Sequence, residues 1–209
     1  MGGTILEEDA AYNQRCSDIC TALSSHNISV RFDDVDRAYK QASREHVTRQ
    51  LRRSLQILGV SDEIREAIYP MIKWQTDLES PAPGAVHLLD YLHNRYRLGI
   101  IANQHPGTES RLEARGWHRY FDIILGSGDI GMGKPDPEIF RMALKMADCT
   151  PEKSVMIGDR VDNDIRPAKL LGMRTIRVLC GLGALQEPKD EFDIADFTVK
   201  SLAEIMDLL

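Results

Sequence analysis

Beyond Gly84 the chain alternates short apolar runs with helical patterns, and this alternation narrows the possible folds most. Residues 98–102, 121–125, 154–157 and 175–179 read as buried strands. Residues 86–94, 110–115, 137–147 and 165–171 carry apolar side chains at helical spacing. Pro137 sits where a first turn tolerates it, and Gly116 and Gly172 close two of the helices. Residues 197–199 predict a short last strand, and 202–209 a closing helix. Strand and helix in alternation predict an α/β fold with a parallel sheet and helices on both faces.

The first part of the chain reads differently. From Ala10 to about Ser80 no strand is predicted, and apolar residues recur at helical spacing: Ile19 and Leu23; Val47, Leu51, Leu55 and Leu58; Ile64, Ile68 and Ile72. Glu7, Glu8 and Asp9 place acids in a first helical turn, where the helix dipole favours them. Gly59 predicts a helix stop, with Ser61 or Asp62 capping the next helix. Ser80-Pro-Ala-Pro-Gly84 then marks a boundary between this all-helical unit and the α/β part.

Composition excludes several classes of protein. Hydrophobic residues at 43% and charged residues at 28% describe an ordinary globular chain. A net charge of −6 argues against a nucleic-acid surface, which needs a basic face. No apolar run approaches the roughly 20 residues of a membrane span, and no signal segment opens the chain. Cys16, Cys20, Cys149 and Cys180 lack a Cys-x-x-Cys spacing, so a reducing, cytoplasmic setting is expected. The histidines are scattered without a helical pair, and Arg49, Arg52 and Arg53 read as a solvated face.

The chemistry concentrates at three strand ends. The strand at 154–157 is followed by Gly158 and then by Asp159, Asp162 and Asp164, ahead of a helix. One aspartate suffices to cap a helix; three beside a strand end suit a hard cation such as Mg²⁺, which prefers oxygen ligands. Asn103 follows the strand at 98–102. Lys134 lies in a loop with Gly126, Gly128, Gly131 and Gly133, which lets backbone amides approach an anion. The carboxyl ends of parallel strands are where such folds bind ligands, and a lysine, amides and acids together can hold a phosphoryl group.

KPDPEIF (134–140), then a strand and GDRVDNDI (158–165), together with Gly3-Thr4 near the start, resemble the motifs of the haloacid dehalogenase-like hydrolases. The resemblance covers nearly the whole chain. It implies a Rossmann-like core formed by residues 1–10 and 82–209, with 11–81 as an inserted helical cap. It implies Mg²⁺ and phosphoryl transfer from a small phosphorylated substrate through an aspartyl-phosphate. Lys134 would neutralise the nucleophile and the phosphate, Asn103 and Gly3 would help hold the phosphate, and Asp159 and Asp164 would hold the metal.

The chain departs from the family pattern at its start. The family's first motif is Asp-x-Asp-Gly-Thr; here Gly2 stands at the second aspartate and Met1 between the two. The nucleophile is therefore expected immediately before Met1, at the end of an apolar strand. Ala102 replaces the usual hydroxyl residue of the second motif. A catalytically silent relative fits these departures, as does a start placed too far downstream. The second is expected, because losing a central strand would cost more than the roughly 5–15 kcal/mol of a domain's net stability. The expected function is a Mg²⁺-dependent phosphatase. The alternatives are a silent binding or regulatory protein of the same fold, and a dehalogenase-type hydrolase, which the acid pair disfavours.

Overall fold

The computed structural model describes residues 1–209. The apolar runs of the second part form parallel strands: β3 (Gly99–Ala102), β4 (Ile123–Gly126), β5 (Val155–Gly158), β6 (Arg174–Val178) and β7 (Phe197–Val199). β3 pairs with β4, Ile100 opposite Ile124, and β5, β6 and β7 pair in that order. The parallel ladder is thus in two pieces. β3 and β5 each keep one edge without a strand partner.

Helices cover both faces, as the alternation predicts. Leu88, Leu89 and Leu92 of α5 (Ala85–His93), Leu112 of α6 (Thr108–Ala114) and Ile205 of α10 (Ala203–Leu208) pack with Ile100, Ala102, Ile176 and Val178 in one core. Both strand groups contribute to this core, so they share a helical layer even though no ladder joins them. On the other face, Ile139 and Phe140 of α8 (Pro137–Ala147) and Ala168 of α9 (Arg166–Leu170) pack against Ile123 and Leu125. α8 begins with Asp136 accepting from the Glu138 N–H and with Pro137 in the first turn.

Four helices precede this part: α1 (Asp9–Ser24), α2 (Phe32–Arg44), α3 (Gln50–Ile57) and α4 (Asp62–Ile68). Cys16, Ile19, Leu23, Val35, Tyr39, Leu55 and Ile68 form their separate core. Ser61 caps α4, its hydroxyl accepting from the Ile64 N–H at 3.4 Å. Two short strands that the sequence pattern does not announce, β1 (Leu6–Glu7) and β2 (Ser80–Pro81), pair antiparallel and gather both ends of the helical unit. The unit rests on the α/β part through Ser43, whose hydroxyl donates to the Leu182 carbonyl at 2.6 Å, and through Val47, whose carbonyl accepts from Arg160. All four cysteines are free thiols, and no helix is long and apolar enough to cross a membrane.

The glycine-rich loop differs from its expected form. Ser127–Ile130 closes into a helical turn, α7. A Cβ on Gly128 would collide with backbone of residues 104–106, and one on Gly133 would come 2.7 Å from the Asn103 side-chain oxygen. These glycines let two loops pack closely together.

Candidate active site

The acid cluster follows β5 directly. Residues Val161–Ile165 form a π-helical turn that buries Val161, Asp164 and Ile165 ahead of α9. Asp164 turns back over the turn's start, accepting from the Arg160 N–H at 3.0 Å. Its other oxygen accepts from the Lys134 ammonium at 2.6 Å, in a pair whose side chains are 9% and 5% exposed. Lys134 is held in turn by Asn103. The Asn103 amide donates to the Lys134 carbonyl at 2.6 Å and accepts from the Lys134 N–H at 2.8 Å. Asn103 therefore orients the lysine loop, with both ends of its amide engaged.

Asp159 and Asp162 part company. Asp162 binds Arg160 through both carboxylate oxygens, at 2.9 and 2.5 Å, and also accepts from Gln186. Burial opposes ionisation of Asp162, but the Arg160 guanidinium outweighs it and holds the group below the usual carboxylate range. Asp159 accepts no hydrogen bond. Burial, then the charges of Asp164 and Glu8, push it well above the usual range. Its carboxyl lies against Gly3, where a Cβ would come within 2.5 Å of an Asp159 oxygen. Gly3 has φ +66°, so the residue type there answers to both conformation and space.

The start of the chain enters the same place. The Met1 amino group is pushed below its usual pKa by burial and by Lys134, while Asp164, Glu8 and Asp159 pull the other way. Met1, Gly3, Asn103, Lys134, Asp159 and Asp164 all line one cleft of about 1650 Å³ between the α/β part and the helical unit. Sequence reading alone missed three further groups there. The Asn163 side-chain oxygen is buried and has no hydrogen-bond partner. Arg15 is unpaired on the opposite wall. The Glu8 carboxyl occupies the space into which a side chain on Gly2 would project. Glycine at the position of the family's second aspartate was the available signal for Glu8, but nothing in the sequence indicated what would fill the space.

Burial pushes Glu8 up to about 7, with the Met1 amine, Arg15 and Arg160 opposing the shift and Glu79 adding to it. Glu8 favours folding fully below its unfolded pKa, and this contribution is lost as pH rises through about 7. Glu8→Gln removes that dependence. Urea titrations at pH 5 and pH 8 are expected to show the variant gaining on the parent by on the order of 2 kcal/mol across the interval, discounted for partial exposure. An equal difference at both pH values would mean that Glu8 titrates normally.

A parallel α/β fold with a buried lysine–aspartate pair and a second, unpaired aspartate at the carboxyl edge of its strands has the equipment of a hydrolase acting on an anionic group. Comparison with known proteins narrows the class. Residues 1–172 match the model of the haloacid dehalogenase-like hydrolases, and the chain belongs to that family. A glyceraldehyde 3-phosphate phosphatase of Methanocaldococcus jannaschii is 42% identical over 114 residues, 54% of this chain and 49% of that protein. The Methanopyrus kandleri protein of the same name is 28% identical over 194 residues, 90% of this chain and 82% of that protein. Among solved structures, a phosphatase of this superfamily from Thermococcus onnurineus superposes with a TM-score of 0.64 at 22% identity, covering 100% of this chain and 94% of the other.

Proposed function

We propose that the chain is a phosphatase acting on a small phosphorylated metabolite, its nucleophile an aspartate immediately before Met1. The observation that carries this reading is the convergence of the Met1 amino end with Lys134, Asp159 and Asp164 in one cleft. An aspartate joined to Met1 enters the site where the amino group now feels those charges. Residues 1–10 and 82–209 act as the core and 11–81 as the cap that closes on the substrate. Lys134 supplies positive charge to the nucleophile and phosphate, Asn103 fixes the lysine loop, and Gly3 leaves room for the phosphate beside Asp159. Free cysteines agree with a cytoplasmic setting.

Asp159 and Asp164 fit Mg²⁺. Asp159 is a carboxylate without a partner, burial and the charge of Asp164 push it up, and the unsatisfied Asn163 oxygen lies in the turn that carries Asp164. Mg²⁺ is commonly bound by one or two carboxylates with waters and substrate oxygens completing its shell, so two acids suffice. When bound, the ion supplies charge to the transferring phosphoryl group. The acid pair also disfavours a dehalogenase, which needs no cation.

Because Asp159 must lose its proton to accept the ion, Mg²⁺ binding is expected to strengthen as pH rises. Calorimetry on the 209-residue chain should show weak binding at pH 8, clearly weaker binding at pH 5.5, and none after Asp159→Asn/Asp164→Asn, with folding checked by circular dichroism. Binding that survives in the double variant rejects this metal site.

A further inference from the structure

The helical unit roofs the cleft, and Arg15, Arg49 and Arg52 in that roof make no ion pair. Arg15 lies on α1 with its guanidinium 4.5 Å over the Trp74 ring. Its Nε is buried without an acceptor. Three acids of the helical unit are engaged elsewhere, while Glu8 feels the Arg15 charge without pairing with it. Asp36 accepts from Tyr12 and Lys40, Asp18 from Gln14 and Gln75, and Glu79 from Trp74 and Arg115. Trp74 is fixed by its 2.7 Å bond to Glu79, so the ring on which the guanidinium rests is held in place.

A second donor stands beside it. The Tyr39 hydroxyl, on a residue 3% exposed that also lines the cleft, lies beside Arg15 and Ser54 and donates to no acceptor. Burial pushes Tyr39 above its usual pKa, and the neighbouring Arg15 charge is the leading opposing influence. Unpaired buried donors are costly, and two side by side with one positive charge lack an acceptor bearing one negative charge on two oxygens. A carboxylate meets that description. Arg15 lines the same cleft as Lys134 and as Glu8, whose carboxyl lies at Gly2 on the catalytic edge, so roof and edge face one space that a small molecule can occupy.

We propose that Arg15 and Tyr39 form a carboxylate subsite, and that the substrate is a short phosphomonoester with a carboxylate at its other end. This rests on the phosphate site proposed above at Lys134. A site built to hydrogen-bond a group discriminates against the analogue that lacks it, because its own donors are then left unpaired.

The test compares two ligands that differ only in a carboxylate or a hydroxymethyl group, 3-phosphoglycerate and glycerol 3-phosphate, by calorimetry on the 209-residue chain with Mg²⁺. The parent is expected to favour 3-phosphoglycerate by on the order of 10- to 100-fold. Arg15→Met keeps the stem on Trp74 and should erase the preference by weakening 3-phosphoglycerate alone. Tyr39→Phe should weaken it by roughly 2- to 10-fold. Lys134→Ala should weaken both ligands. Equal binding of the two by the parent, or equal weakening of both by Arg15→Met, overturns the subsite. If Lys134→Ala still weakens both in that case, the phosphate site stands. A preference that Arg15→Met abolishes while Lys134→Ala changes neither ligand upholds the carboxylate contact and overturns the phosphate site. Failure of the parent to bind either ligand sinks both.

Discussion

Extending the chain upstream by one apolar strand ending in aspartate before Met1 is expected to stabilise it and to give it Mg²⁺-dependent hydrolysis of an aryl phosphate. β3 and β5 each present an edge without a strand partner, and their side chains already share a helical layer with β6. A strand inserted there pairs its backbone on both sides and buries its side chains. Each fully buried aliphatic side chain contributes about 1.5–3 kcal/mol, against roughly 1–2 kcal/mol per residue for ordering the backbone. The net gain for a short strand is then a few kcal/mol, roughly 5–15 °C in Tm for a chain of this size. The catalytic gain is larger. A nucleophile acts only when held within about 3–3.5 Å of the atom it attacks, and the added carboxylate enters where the Met1 amine now meets Lys134, Asp164 and Asp159. Gly2 brings no proton donor, and such assistance is typically worth about 10²–10⁴-fold. Rates on alkyl esters should therefore trail those on nitrophenyl phosphate, whose leaving group needs no proton. A stable extended protein that binds Mg²⁺ but is inert toward a broad phosphate-ester panel would favour a binding role. Turnover by the 209-residue chain itself, lost on Lys134→Ala, would mean that the nucleophile has been misplaced.

The features visible in the sequence are those encoded locally. The parallel strands, Pro137 at the start of α8 and the Ser61 cap each depend on neighbours a few residues away, and their side-chain types report those neighbours directly. The two-residue strands β1 and β2 carry no period to detect, and their pairing joins positions on either side of the whole helical unit. The π-helical turn hides inside a pattern that reads as loop and then helix, because the inward side chains of Val161, Asp164 and Ile165 suit either. The glycines around Lys134 invited an anion-binding reading, and the close packing of Gly128 against residues 104–106 and of Gly133 against Asn103 was not visible in it. The exchange at Gly2 and Glu8, the clasp of Asn103 on the Lys134 backbone and the stacking of Arg15 on Trp74 are complementarities in three dimensions. Each joins residue types that have ordinary solvated readings when taken singly. Asp162 is the instructive exception: its partner Arg160 is two residues away, so this pairing, which sets it apart from Asp159 and Asp164, is local in the sequence.

Lys134→Ala is expected to cost on the order of 3–5 kcal/mol in stability, well beyond the loss of one surface charge. The pair with Asp164 is short and almost completely withdrawn from water. Removing the lysine leaves a buried carboxylate whose remaining hydrogen-bond donor is the Arg160 N–H. Desolvation of that carboxylate is then uncompensated, so the variant should melt roughly 10 °C or more below the parent. The double variant Lys134→Met/Asp164→Leu separates stability from function. It removes both charges and keeps the volume, so it should recover most of the loss, because replacing a buried ion pair with apolar groups is often neutral or better. It should nonetheless bind neither phosphate nor Mg²⁺. Thermal melts of the three proteins, with phosphate and Mg²⁺ titrations well below each Tm, make the comparison. If the alanine variant is as stable as the parent, Asp164 is reached by water and its pairing with Lys134 is incidental. If the double variant is as unstable as the single one, the cost lies in packing around the site, and the charge argument fails.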